Sequence, residues 1–453
     1  MNPRSHKRSS RFGLTTNIAL AAAFALTIAA CGSDATTGPA ATTAQSAGTA
    51  TTAAAVNSAA PATAATAATA SQPASTDSAV KVDDAALKAL INKVFQQDMK
   101  PADVDPLIVE ALGRATVQLT SAQLDTAYTC WKGSECKIAG GGDTTLAIVD
   151  AFGGNTWRRI SKMETILQAL TYPQIGRIIS SDANFDLPTY QSQVRGAVAQ
   201  GAKLIVGYND FGDAMVPTFK DAQSAGAFVS IYVGPAPTAG ASAIVTQIVT
   251  DTCSAGKSMA DVAAKLTGGQ GKIAFFNGTP GNPQGAAWNK CALDQLAAKS
   301  PGVTKTFAAD TSWTPAGAAE AASALIATGD PVKAILYDYA DPLPGVIDTF
   351  KQAGQKPPAL ITWTMNNDLF RVWQDAQGTP NAFDLYYTNG LNWVARVSVT
   401  AVMNAFLGHP NKAVVNYPLP FVPAQKGMYD KSKPGDFPGT AIVPEALLAK
   451  MIG

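Results

Sequence analysis

From Thr144 onward the chain alternates short apolar runs with amphipathic stretches of helical period, and this alternation constrains the fold more than any other feature. The apolar runs cover 144–150, 176–180, 203–207 and 228–233, then 272–277, 303–307, 334–339, 359–364 and 384–388. Between the first two, Trp157, Ile160, Met163, Ile166, Leu167 and Leu170 recur at three- and four-residue spacing and predict a helix over 156–170. Near-continuous apolar strands separated by such helices predict parallel sheets covered on both faces. Nine strands suit two Rossmann-like, doubly wound α/β lobes better than one sheet. A single (β/α)8 barrel is the rival architecture.

The first eighty residues are of a different kind. Arg4, Lys7, Arg8 and Arg11 precede an apolar run over 18–30 that ends at Cys31. A basic head, a short apolar segment and small residues before a cut site make a secretory signal over 1–30. The run is shorter than the ~20 residues that span a bilayer. Ile28-Ala29-Ala30-Cys31-Gly32 resembles the lipobox of bacterial lipoproteins. That resemblance implies cleavage before Cys31 and a lipid on its thiol, which would hold the protein on the extracytoplasmic side of the cell membrane. Residues 35–76 carry no charged or aromatic side chain. Such a stretch cannot offset its ordering entropy by burial, so 31–82 reads as a disordered tether. Leu87, Leu90, Ile91, Val94 and Phe95 then recur at helical spacing, and 83–136 reads as a small helical appendage with no visible chemistry.

Removing the four basic residues of 1–30 from the chain's 34 leaves 30 against 33 acidic residues, a formal charge of −3. No basic stripe suggests nucleic acid as a partner. Apart from Cys31 there are four cysteines, which allow three pairings. Cys130 with Cys136, close in sequence, and Cys253 with Cys291, on helices flanking one predicted strand, are the favoured pairs. No His or carboxylate stands near them at ligand spacing, so a metal is not expected.

The two-lobed body, 137–453, carries a family resemblance over about 140–425. Its landmarks are Phe152-Gly-Gly-Asn-Thr-Trp-Arg158, Gln200-Gly-Ala-Lys-Leu-Ile-Val-Gly207, Asn277-Gly-Thr-Pro-Gly-Asn282, Ala309-Asp-Thr-Ser-Trp313 and Ala353-Gly354. In order and spacing these resemble the type I periplasmic binding proteins, in particular the ribose-binding-like sugar receptors of ABC importers. The resemblance implies three strand crossovers, near 234–240, 389–392 and 414–417. Lobe one would hold about 140–235 and 390–415, and lobe two about 236–389 and 416–453. Ligand would sit at the carboxyl ends of the strands, between closing lobes.

Carried across by position, the resemblance implies a ligand site built from ten residues. Asn155 and Trp157 follow the first strand, Asn209 and Asp210 the third, and Tyr232 ends the fourth. Trp288 stands where the family often has an arginine, and Trp313 matches an aromatic that stacks on sugar. Asp338 and Tyr339 follow the third strand of lobe two, and Asn389 matches a hinge amide. Thr364 departs from a usual Asp, so the cleft would be richer in aromatic surface and poorer in charge. Aromatic faces suit the C–H face of a sugar, but also a nucleoside or another ring.

The implied function is an extracytoplasmic substrate-binding lipoprotein, monomeric and without cofactor, delivering a sugar or sugar-like solute to the permease of an ABC importer. A receptor serving a membrane sensor would need the same closing lobes. Hydrolase chemistry is poorly supplied: beyond the signal there is one histidine, His409, and no G-x-S-x-G elbow. A glycosidase using Asp210 and Asp338 is the enzyme alternative. The anchor is testable by itself. Labelled palmitate should enter the full chain and not its Cys31→Ser variant, and label retained in the variant would remove the anchor.

Overall fold

The computed structural model describes residues 82–234, 241–388 and 390–452. Cys31, the signal, all of the tether but Val82, and Asn389 therefore lie outside the described residues. The described chain opens with α1 (Asp84–Phe95), α2 (Pro106–Ala115) and α3 (Ser121–Lys132). Each begins where the sequence supplies a cap. Asp83 and Asp105 accept first-turn N–H groups, and Thr120 with Gln123 forms a reciprocal capping box.

A short β1 (Glu135–Lys137) leads into the alternating body. There follow β2 (Thr144–Asp150), α4 (Thr156–Ala169), β3 (Ile175–Asp182), α5 (Leu187–Ala199), β4 (Ala202–Tyr208), α6 (Val216–Ser224), β5 (Phe228–Tyr232) and β6 (Thr246–Thr250). After α7 (Thr252–Thr267) come β7 (Gln270–Asn277), α8 (Pro283–Lys299), β8 (Gly302–Asp310), α9 (Pro315–Ala327) and β9 (Ala334–Tyr337). The chain continues through α10 (Leu343–Gln352), β10 (Ala359–Thr362), α11 (Asn367–Ala376) and β11 (Leu385–Tyr387). It ends with α12 (Val394–Phe406), β12 (Val414–Tyr417), β13 (Val422–Pro423) and α13 (Glu445–Ile452).

These strands form two sheets, β1-β3-β2-β4-β5-β6-β12 and β13-β11-β10-β9-β7-β8. Pairing is parallel except where β1 meets β3 and β13 meets β11 at the edges. Strand order reverses between β2 and β4 in one sheet and between β7 and β9 in the other, giving each a topological switch point. Alternate side chains enter opposite layers. In lobe one Leu146, Ile148, Leu204 and Val206 share a cluster with α4 and α12, while Ala147, Val149, Ile205 and Val229 pack towards α5 and α6. The architecture is thus two doubly wound lobes and not one barrel.

Three boundaries differ from the sequence expectation. β6, absent from the predicted strands, lies between β5 and β12 in the first sheet, so lobe one runs to Thr250 and not to about 235. Its buried Thr246, Gln247 and Thr250 hide it from a hydropathy pattern. The first crossover therefore follows Thr250 and does not fall at 234–240. The third follows β12, whose four residues pair with β6 in lobe one, and precedes β13 in lobe two. The C-terminal helix, expected with lobe two, docks on the appendage and lobe one: Tyr128 donates to the Lys450 carbonyl (3.3 Å) and Arg159 to that of Met451 (2.9 Å).

The appendage buttresses the side where the chain recrosses. Phe95 meets Trp393 edge-on at 5.3 Å, and Gln96 accepts the Tyr387 hydroxyl of lobe two at 3.0 Å. Asn404 of α12 donates to Glu110 at 2.9 Å. Beneath it Arg396 pairs with Glu164, both buried, and Glu164 also accepts the Ile442 N–H. Cys130 and Cys136 have Cα atoms 5.1 Å apart, as do Cys253 and Cys291, so each expected pair stands at disulfide spacing. A bond in the second pair would tie α7 to α8 across a 38-residue separation and contribute about 3–4 kcal/mol in the chain-entropy picture. The Cys253→Ala/Cys291→Ala variant should therefore melt about 3–6 °C lower by calorimetry. An unchanged melting point would show that this pair contributes nothing.

Candidate ligand-binding cleft

Side chains that follow strand ends in both sheets converge on one cleft, with a cavity volume of about 50 Å³ and about 430 Å³ when its open mouth is included. Lobe one contributes Asn155, Trp157 and Arg158 after β2, Tyr208 at the end of β4 and Val233 after β5. Lobe two contributes Gln284, Trp313, Asp338, Tyr339, Trp363 and Thr364, and Leu391 comes from a crossing segment. This is where doubly wound sheets place ligands.

The lobe-one wall is organised by Arg158. Asn155 caps α4 by accepting the Arg158 N–H at 2.8 Å, which fixes the first turn and sends the guanidinium over the strand ends. Arg158 Nη1 donates to Asp150 at 2.6 Å, and Nη2 reaches both oxygens of Asp210 at 3.1 and 2.9 Å. The guanidinium lies 3.4 Å from the Tyr208 ring centre. All three charged groups are buried, and two carboxylates share one cation. Burial outweighs the attraction of Arg158 and pushes the Asp150 carboxyl up to about 7, with the like charge of Asp210 adding to the rise. Asp210 also shifts upward, through burial. Burial opposes the charge on Arg158, but the two carboxylates prevail and hold it firmly protonated.

The lobe-two wall centres on Asp338. The Trp313 indole donates to its Oδ1 at 2.8 Å, and burial raises the carboxyl to about 6. The Trp288 indole also favours the ionised form without making a hydrogen bond of normal geometry, and Oδ2 has no partner among the described residues. Tyr339 donates to Asp341, whose other oxygen receives Asn366 at 3.0 Å. Trp313 lies over Gly278, where a Cβ would come within 1.9 Å of its ring, so only glycine fits the Asn277-Gly278 corner.

The lobes meet directly across the cleft. The Tyr208 hydroxyl donates to Gln284 at 2.9 Å, Asn282 donates to Asp210 at 3.4 Å, and Phe185 stacks near Trp313 with centroids 6.5 Å apart. Val233, Trp313 and Leu391 hold left-handed backbone conformations, with φ of 60°, 52° and 66°. These cost about 1–3 kcal/mol each for non-glycine residues, and all three line the cleft.

Of the expected site residues, Asn155, Trp157, Trp313, Asp338 and Tyr339 come together here. Asp210 sits behind Arg158 with both oxygens engaged, which leaves it no freedom for the acid–base role of the glycosidase alternative. Asn209 does not reach the cleft: it is buried, closing a turn through Gly212 and Phe211. Tyr232 stands beneath Trp157 and Tyr208 as support. Trp288 is a core residue, fully buried between Phe275 and Trp363, because α8 presses its backbone against Gly256 of α7. Asn389 lies outside the described residues, and nearby Asn392 donates to the Trp157 carbonyl at 2.9 Å. The sequence reading missed Arg158, Tyr208, Gln284, Trp363 and Leu391. Arg158 was visible only as the last residue of a landmark, and nothing in its neighbours marked Asp150 and Asp210 as its partners. Among the described residues no group of His, Cys, Asp and Glu could hold a metal, and no helix is long and apolar enough to cross a membrane.

The raised Asp150 carboxyl gives a pH prediction. An acid whose pKa is higher folded than unfolded binds its proton more tightly in the native state. The stability Asp150 contributes is then complete below about 4 and is lost as pH rises to about 7, on the order of 4 kcal/mol. Melting curves of Asp150→Asn should fall less steeply between pH 4 and 7 than those of the wild type. Parallel curves would contradict the assignment.

No curated protein matches this sequence. Solved structures do match its fold. The arabinose-transporter binding component from Shewanella sp. ANA-3 superposes with a TM-score of 0.56 at 18% identity, covering 62% of this chain and 92% of that one. A solute-binding protein from Agrobacterium vitis, solved with D-fucose, gives 0.56 at 18% identity over 63% and 97%. One from Bacillus halodurans, solved with myo-inositol, gives 0.55 at 14% identity over 63% and 96%. The sequence of residues 147–388, from β2 through β11 and more than half of the chain, matches the periplasmic binding protein domain. The chain belongs to that family.

Proposed function

We propose that this protein is the extracytoplasmic substrate-binding lipoprotein of an ABC importer, which closes its lobes on a small polar solute, a sugar or sugar-like ring, and presents it to the permease. One observation carries the reading: Trp157 and Tyr208 from lobe one face Trp313 and Tyr339 from lobe two around a single cleft, with Asp338 among them. Flat apolar faces with a few fixed polar groups suit the alternating C–H and hydroxyl surfaces of a sugar ring. Fold relatives solved with arabinofuranose, D-fucose and myo-inositol support the same class. The lipobox-like run ending at Cys31 and the charge-free stretch 35–76 support a body held outside the membrane, where both cysteine pairs would be oxidised. The protein would act as a monomer, since closure needs only its own two lobes.

A guest that touches both lobes favours the closed form by its differential affinity. It must therefore stabilise the protein, by about 2.7 kcal/mol at a hundredfold excess over Kd. A thermal-shift screen across sugars, polyols, nucleosides and amino acids should find a stabilising class, confirmed by calorimetry. Trp313→Ala should weaken that ligand about tenfold or more. Silence across the sugars and polyols would reject the sugar-class reading.

A further inference from the structure

The buried carboxylates around the cleft are unequally provided for. Asp150 and Asp210 share Arg158, the cation that lines the cleft. Asp341 has a neutral donor on each oxygen. Asp338 differs from these. It lines the cleft, no Lys or Arg among the described residues acts on it, and its Oδ2 is buried without a hydrogen bond of normal geometry, the donors that act on the carboxyl being the neutral Trp313 and Trp288 indoles and a backbone N–H. An ionised carboxyl is costly in such a place unless a cation or strong donors compensate it. Arg158 cannot supply that compensation, because its donors are held by two other carboxylates.

The remaining wall is aromatic. Trp157, Trp313 and Tyr339 line the same space, and aromatic rings attract a cation through the ring quadrupole as well as an apolar ring face, while the Tyr208 ring already carries the Arg158 guanidinium. The cleft is therefore short of positive charge and rich in surfaces that accept it. A neutral sugar could donate one hydroxyl to Oδ2 but would leave the charge uncompensated.

Resting on the solute-binding reading above, we propose that the guest is a sugar-like ring bearing a protonated amine, with the ammonium placed on Asp338 Oδ2 and the ring between Trp157 and Trp313. Asp338 then sets specificity between amino and hydroxyl forms of the same ring.

The test is a matched panel in isothermal titration calorimetry with the full chain: D-glucosamine against D-glucose, D-galactosamine against D-galactose, and D-mannosamine against D-mannose. At least one amine should bind about tenfold or more tightly than its hydroxyl partner, as one charge-assisted bond in a dry site provides. That preference should vanish in Asp338→Asn, with folding of the variant checked by its melting curve. A hydroxyl compound that binds as tightly as its amine overturns the inference and leaves the sugar-class reading standing. A neutral polyol or nucleoside that binds while every amine is silent does the same to the amine. Silence of both series and of the wider screen overturns the two together.

Discussion

The cleft depends on one guanidinium. Arg158 joins Asp150 at the end of β2 to Asp210 just past β4, and these are the two strands between which the order of the first sheet reverses. Parallel strands at a switch point diverge in their connections, so a crevice opens there by topology alone. Arg158 fixes the floor of that crevice and stacks on Tyr208, which in turn reaches Gln284 in the other lobe. Removing the arginine would leave two buried carboxylates side by side without a cation, a loss of about 3–5 kcal/mol by analogy with other broken buried pairs.

Closure and strain belong together in this molecule. Three non-glycine residues in left-handed conformations line the cleft, and one of them, Leu391, lies in a segment that runs between lobes. Such conformations persist only where the surroundings impose them, and here they aim Trp313 and Leu391 at the same space. On the opposite side the helical appendage touches both lobes through Phe95 and Gln96, so the recrossing segment is held from behind while the cleft faces the guest.

Much of the fold was legible because it rests on periodicity. The strands from Thr144 to Tyr387 are short apolar runs, and the helix over α4 announces its buried face through Ile160, Met163, Ile166 and Leu167. β6 was not legible, since a strand that buries Thr246, Gln247 and Thr250 lacks the continuous apolar run that marks a buried strand in a sequence. The family resemblance brought Trp157, Trp313 and Asp338 to positions past strand ends, and the structure gathers them in one cleft. The site was illegible where two elements distant in sequence decide exposure. Trp288 looks like a cleft residue from its loop-flanked helix start, but the close approach of α7 at Gly256 turns it inward. Arg158 looks like a surface cation on an amphipathic helix until Asp150 and Asp210, eight and 52 positions away, are brought beneath it.

The central claim is that two α/β lobes shut around a small ring outside the cell. Native mass spectrometry of the protein purified gently from its own source tests it most directly. The account predicts a noncovalent small-molecule adduct on the folded chain, released on activation and missing from a Trp157→Ala/Trp313→Ala variant prepared in the same way. A folded wild-type chain that never carries an adduct, or an adduct that the double variant retains undiminished, would contradict it.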